Sequence, residues 1–175
     1  MSNPRPMCLL DKNIARRIIE GLSHPDALSD EEALVIALWR RLRQVGHRLF
    51  ISIETVNILR VFSAYQEMQV FLTSVEPMEP TRYFKRWARR LRGYGFTGED
   101  AKVLSLGTFG TDEAGQILGV KVIITLDQSF INNLKANEPV LEEKLRAMAV
   151  NLSPPFCEAV LPRLVQPREV LIALS

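Results

Sequence analysis

"MCLLDKN", residues 7–13, sets a run of apolar and sulfur-bearing side chains directly before an aspartate, and "IARRIIEGL" follows with Ile14, Ile18, Ile19 and Leu22 on one helical stripe. A short apolar run closed by a polar residue reads as a buried strand, and the spacing after it reads as a helix. Asp11 therefore stands where a strand ends and a helix begins. Such an acid has two readings: an N-cap that satisfies orphan N–H groups and complements the helix dipole, or a site residue, since open parallel sheets bind ligands beyond the carboxyl ends of their strands.

The same alternation continues outward from this unit. Ser29 or Asp30 is placed to cap a helix through "EEALVIALWRRLRQVG", "RLFIS" (48–52) reads as a second strand, and "ETVNILRVFSAYQEMQVFLTSV" reads as one helix. "EPMEPT" is a Pro-broken connection, "RYFKRWARRLRGYG" a helix ended by Gly93 and Gly95, and Thr97 with Asp100 has capping-box spacing at the start of another helix. "VKVIIT" (120–125) is the strongest strand signal, with Asp127 two residues after it; "QSFINNL" and "EPVLEEKLRAMAVNL" read as helices, and "RLVQPREVLIAL" as strand, turn and helix. Short strands separated by helices predict an α/β fold, a mostly parallel sheet with helices on both faces in a three-layer sandwich.

With 175 residues the chain is expected to form a single domain, 1–175, with an added helical segment at about 138–160 before the last strand. Apolar residues at 47% and charged residues at 24% are globular proportions, and no apolar run approaches the length of about 20 that a membrane helix needs. The N-terminus shows no export signal, Cys8 and Cys157 have no metal-ligand spacing, and a cytoplasmic protein with both thiols reduced and buried is expected. His24 and His47 lack partners in sequence and are expected at the surface. The net charge of +2 says little, but six basic residues and no acid lie between Arg82 and Arg92. Phe84, Trp87, Ala88 and Leu91 take the core side of that helix, which turns Arg82, Lys85, Arg86, Arg89 and Arg92 outward. The bland reading is a solvated basic face. The functional one is phosphate binding, with Tyr94 or Phe96 stacking on a base.

Asp11 and Asp127 each follow a predicted strand and Asp100 opens a helix. Carboxylates gathered at one sheet edge repel each other unless a hard divalent cation neutralises them. Taken together, "CLLDKN", "GEDAKVLSLG" and "VIITLDQSF" resemble, in order, the three aspartate motifs of the PIN domain, a nuclease fold. Asp11 and Asn13 match the first motif, Asp100 with Ala101 and Val103 the second of these, and Thr125, Asp127 and Phe130 the third; "LVQPREVL" is similar to the strand-Pro-helix that closes the fold. The resemblance implies hydrolysis of RNA or single-stranded nucleic acid with one or two Mg²⁺ or Mn²⁺ ions. Asp11, Asp100 and Asp127 would be the metal ligands, Asn13 would orient a ligand and Thr125 would hydrogen-bond a neighbouring carboxylate. Family members are frequently homodimers, and some are toxins held by a protein inhibitor, though no segment here identifies an interface or an inhibitor.

The match departs from the family pattern at named positions. Lys12 replaces the usual hydroxyl residue, and "ISIETVNIL" puts Ile58 where a glutamate belongs. Glu54, one turn earlier, is either a fourth catalytic acid or a first-turn acid favoured by the helix dipole. "FGTDEAGQILG" reads as an inserted loop. The competing expectation is a catalytically degenerate PIN-like domain that binds RNA or a protein.

Overall fold

The structure, a computed structural model, describes residues 4–61 and 64–175. β1 (Met7–Leu10) leads into α1 (Lys12–Ser23), α2 (Asp30–Gln44) into β2 (Arg48–Ser52), and α3 (Ile53–Arg60) and α4 (Gln66–Leu72) into β3 (Glu76–Pro80). Then come α5 (Phe84–Arg92), α6 (Gly98–Phe109), the short β4 (Gly110–Thr111), β5 (Val122–Ile124), α7 (Gln128–Ala149), a 3-10 turn at Phe156–Glu158, β6 (Arg163–Val165) and α8 (Pro167–Ala173). The strands follow the hydrogen-bonded order β4-β3-β2-β1-β5-β6, with β1 and β2 parallel and β3 and β4 antiparallel. The class is α/β, with a mixed, mostly parallel sheet flanked by helices.

The chain divides into two compact units, the first made of Met1–Pro77, Ile124–Leu126 and Val165–Ser175, the second of Met78–Ile123 and Asp127–Leu164. In the first, β1 and β2 pair with Cys8 opposite Leu49 and Leu9 opposite Phe50. All four are buried, as strands covered on both faces require. Ile14 and Ile18 bury the stripe of α1, which packs on α2 and α4, while α2 also packs on α8. The start of α2 is a capping box: Glu32 N donates to Ser29 Oγ (3.2 Å) and Ser29 N to Glu32 Oε2 (2.9 Å). That reciprocal pair satisfies two orphan donors.

In the second unit α5 packs on α6 through Trp87, Leu91, Leu104 and Phe109, all fully buried. Trp87 meets Phe109 edge-on at 6.5 Å, and Ser105 Oγ donates to the Phe84 carbonyl at 2.7 Å. Gly119 has φ +61°, and a Cβ there would run into the carbonyl oxygens of Gly107 and Thr108. Only glycine permits this approach without strain.

Several elements differ from the expectations. The helix expected over 54–75 is two helices, because Tyr65 takes an extended backbone (φ −84°, ψ 131°) and α4 restarts after it; positions 62 and 63 of that expectation lie outside the described residues. "EPMEP" is strand β3 rather than a connection. Proline's fixed φ is compatible with extended backbone, Pro80 sits at the strand's last position opposite Gly110, and Met78 is fully buried. β5 covers three residues because the Val120 N–H turns away to the Gly107 carbonyl. The two helices expected around Pro139 are one, α7. A helix-interior proline costs about 3 kcal/mol. Burial of Phe130, Ile131, Leu134, Leu141, Leu145 and Met148, at about 1.5–3 kcal/mol for a fully buried side chain, outweighs it.

Candidate functional site at the end of β1

The first unit carries a polar network in an apolar setting. Asp11 N donates to the Ile124 carbonyl (3.0 Å) and Thr125 N to the Val165 carbonyl (3.0 Å), so backbone pairing sets Asp11 and Thr125 side by side. Thr125 Oγ1 donates to Asp11 Oδ2 at 2.7 Å, Asn13 Nδ2 donates to the same oxygen at 3.2 Å, and Lys12 N donates to Asp11 Oδ1 at 2.7 Å. Asn13 Nδ2 also reaches Thr125 Oγ1 (3.3 Å), while Asn13 Oδ1 accepts from Leu126 N (3.3 Å). A backbone N–H can only donate, so this last bond fixes which way the Asn13 amide faces. Thr125 is fully buried and Asp11 is 8% exposed.

A carboxylate so enclosed needs donors on its oxygens, and the network supplies them. The Lys12 bond is the capping interaction of α1. The Thr125 and Asn13 bonds go beyond capping: they tie the carboxylate to the end of another strand and hold its plane. The position is also distinctive in topology. Strand order runs one way from β1 through β2 and the other way through β5, and the gap between such neighbours is where open α/β sheets take ligands.

The other expected site residues stand as follows. Asp127 is the N-cap of α7, accepting from Phe130 N at 3.0 Å. Asp100 lies in the first turn of α6, its N–H donating to the Thr97 cap at 3.1 Å; both acids are half-buried and belong to the second unit. Glu54 is exposed in the first turn of α3, and Ile58 is 62% exposed. Among the described residues, no group of three or more His, Cys, Asp or Glu side chains is placed to hold a metal ion. The structure thus joins Asp11, Asn13 and Thr125, and gathers no larger acidic set among those residues. As for fit, Mg²⁺ takes hard oxygen donors, keeps several waters, and commonly uses one or two carboxylates together with substrate phosphate. Asp11 is a donor of that kind.

Arg82, Lys85, Arg86, Arg89 and Arg92 are all exposed, and Arg90, which the helical pattern had not singled out, is exposed with them. Phe96 is 5% exposed and packs edge-on against Phe130 at 6.1 Å, so it is a core anchor and not a stacking platform. His47 is half-buried, not at the surface: Nδ1 has no hydrogen-bond partner among the described residues, and desolvation lowers the imidazole pKa. Cys8 is buried as expected, while Cys157 is only half-buried, and both are free thiols.

No protein-family model, curated protein or solved structure matches the chain. No helix of the described residues is long and apolar enough to cross a membrane.

Proposed function

We propose that this chain is a PIN-like nuclease that hydrolyses phosphodiester bonds of RNA or single-stranded nucleic acid with Mg²⁺ or Mn²⁺. One observation carries the reading: Asp11, the first aspartate of the motif series, sits at the end of β1 with its carboxylate oriented by Thr125 and Asn13. A capping residue needs no such long-range tether. Asp11 holds the cation in this reading, and Thr125 and Asn13 position its carboxylate; Asp100, Asp127 and Glu54 are further acids on the strength of the motif resemblance alone. A divalent ion held by Asp11 would supply Lewis-acid stabilisation of the phosphoryl oxygens and lower the pKa of water for hydrolysis at neutral pH. The chain's own part is to keep Asp11 fixed so that a bound phosphodiester meets it without rearrangement.

A second reading is favoured by Ile58. An exposed isoleucine stands where the second motif has its glutamate, which lowers the negative charge available to two cations. A degenerate domain that binds without cleaving accommodates that substitution.

Calorimetric titration with Mn²⁺, run beside cleavage of a labelled RNA, separates the two. The enzyme reading expects Mn²⁺ uptake and cleavage in the wild type, both lost in the Asp11→Asn, Asp127→Asn double variant. Asn caps helices as well as Asp, but at Asp11 it turns one of two accepting oxygens into a donor, so circular dichroism and a thermal melt check that the double variant is folded. Cleavage that persists in a clean preparation of the double variant removes the assignment; RNA binding with neither Mn²⁺ uptake nor cleavage establishes the degenerate domain.

A further inference from the structure

α5 has a cationic side. Lys85, Arg86, Arg89, Arg90 and Arg92 are exposed, Arg82 lies just before the helix, and among the described residues none of the six is held in an ion pair. At about 100° per residue, the five helical cations fan over an arc of about 160°. Trp87 and Leu91 fall opposite and are fully buried, so the arc faces outward on an anchored support. Nine residues at about 1.5 Å each give a convex cationic track about 14 Å long.

We propose that this face of α5 binds the backbone of single-stranded RNA, independently of base sequence and of divalent metal. It rests on the nucleic-acid reading above and assigns the surface that holds the strand. Five of the six cations are arginines, whose planar forks pair with phosphate oxygens in bidentate fashion. The exposed arc offers no amide or hydroxyl side chain, which suits backbone contact better than reading of bases. A single strand bends to follow a convex surface, whereas a duplex is stiff over a length of this order. An anionic membrane is the poorer partner, because a helix that lies in a bilayer interface buries an apolar face there, and the apolar face of α5 is already inside the protein.

The test is fluorescence anisotropy of a labelled oligouridylate with the full chain in EDTA across a salt series. Log affinity should fall by about 0.7 per phosphate contact per decade of salt. Arg86→Glu with Arg89→Glu should weaken binding on the order of 25-fold at about 0.1 M salt and make the slope shallower by about 1.4. Arg40→Glu with Arg168→Glu, the same charge change at exposed arginines elsewhere, should leave affinity within about twofold. Equal losses in both double variants, affinity indifferent to salt, preference for duplex, or preference for phosphatidylserine vesicles each overturn the proposal. Since EDTA removes metal, absence of wild-type binding in EDTA counts against α5, and absence of wild-type cleavage with that binding intact counts only against the Asp11 site.

Discussion

Thr125 Oγ1 donates to Asp11 Oδ2 at 2.7 Å across 114 positions of chain, and the threonine is fully buried. A hydrogen bond to a charged acceptor in a water-poor site contributes about 1.5–3 kcal/mol, and a buried acceptor that loses its donor forfeits a comparable amount. The pair is therefore a structural tether whatever reaction it serves.

Thr125→Val keeps shape and volume while deleting the hydroxyl. Its expected stability loss is about 1–3 kcal/mol, a fall in Tm of several degrees for a chain of this size. If Asp11 holds the cation, the loss of this orienting bond also weakens Mn²⁺ binding by about 10- to 100-fold, a range typical of residues that support a metal ligand. Thr125→Ser keeps the donor and should retain metal affinity with a smaller stability loss. A valine variant as stable as wild type in thermal melts would show the bond to be dispensable.

His47 predicts a pH dependence. Burial lowers its pKa below the ordinary 6.5, and Nδ1 is enclosed without a hydrogen-bond partner among the described residues. Well above pH 6.5 the imidazole is neutral in folded and unfolded chains, so its share of stability is complete. As pH falls through 6.5 the unfolded chain takes up a proton that the folded chain resists, and stability declines until pH is below the folded value. His47→Gln should therefore flatten the fall of Tm between neutral and mildly acidic buffer; parallel curves for variant and wild type would contradict the assignment.

The two thiols should differ sharply in reactivity. Burial pushes Cys8 up to about 12, leaving a thiolate fraction on the order of one in ten thousand at pH 8, while Cys157 is partly open. Ellman's reagent should label Cys157 in the native protein and reach Cys8 only after denaturation. Rapid native reaction of both thiols would mean that the strand carrying Cys8 opens readily.

Much of this molecule is legible locally. The strand-to-helix joint at Asp11, the Ser29 and Thr97 caps, and the division of α5 into a buried and a cationic side all follow from periodicity and capping chemistry within a few residues. Where context outweighs local preference, the local reading differs from the structure. Pro77 and Pro80 look like breaks, but β4 gives β3 a partner; Pro139 looks like a helix end, but the apolar stripe of α7 continues past it.

For the candidate site the division is the same. The sequence alone determined that Asp11, Asp100 and Asp127 stand at the starts of helices, because a cap is a local interaction between a side chain and the next turn. Only the tertiary structure decided that Thr125 and Asn13 close on Asp11, because that depends on Asp11 N pairing with the Ile124 carbonyl. Strand pairing is a contact between distant segments, chosen by what the whole sheet can bury.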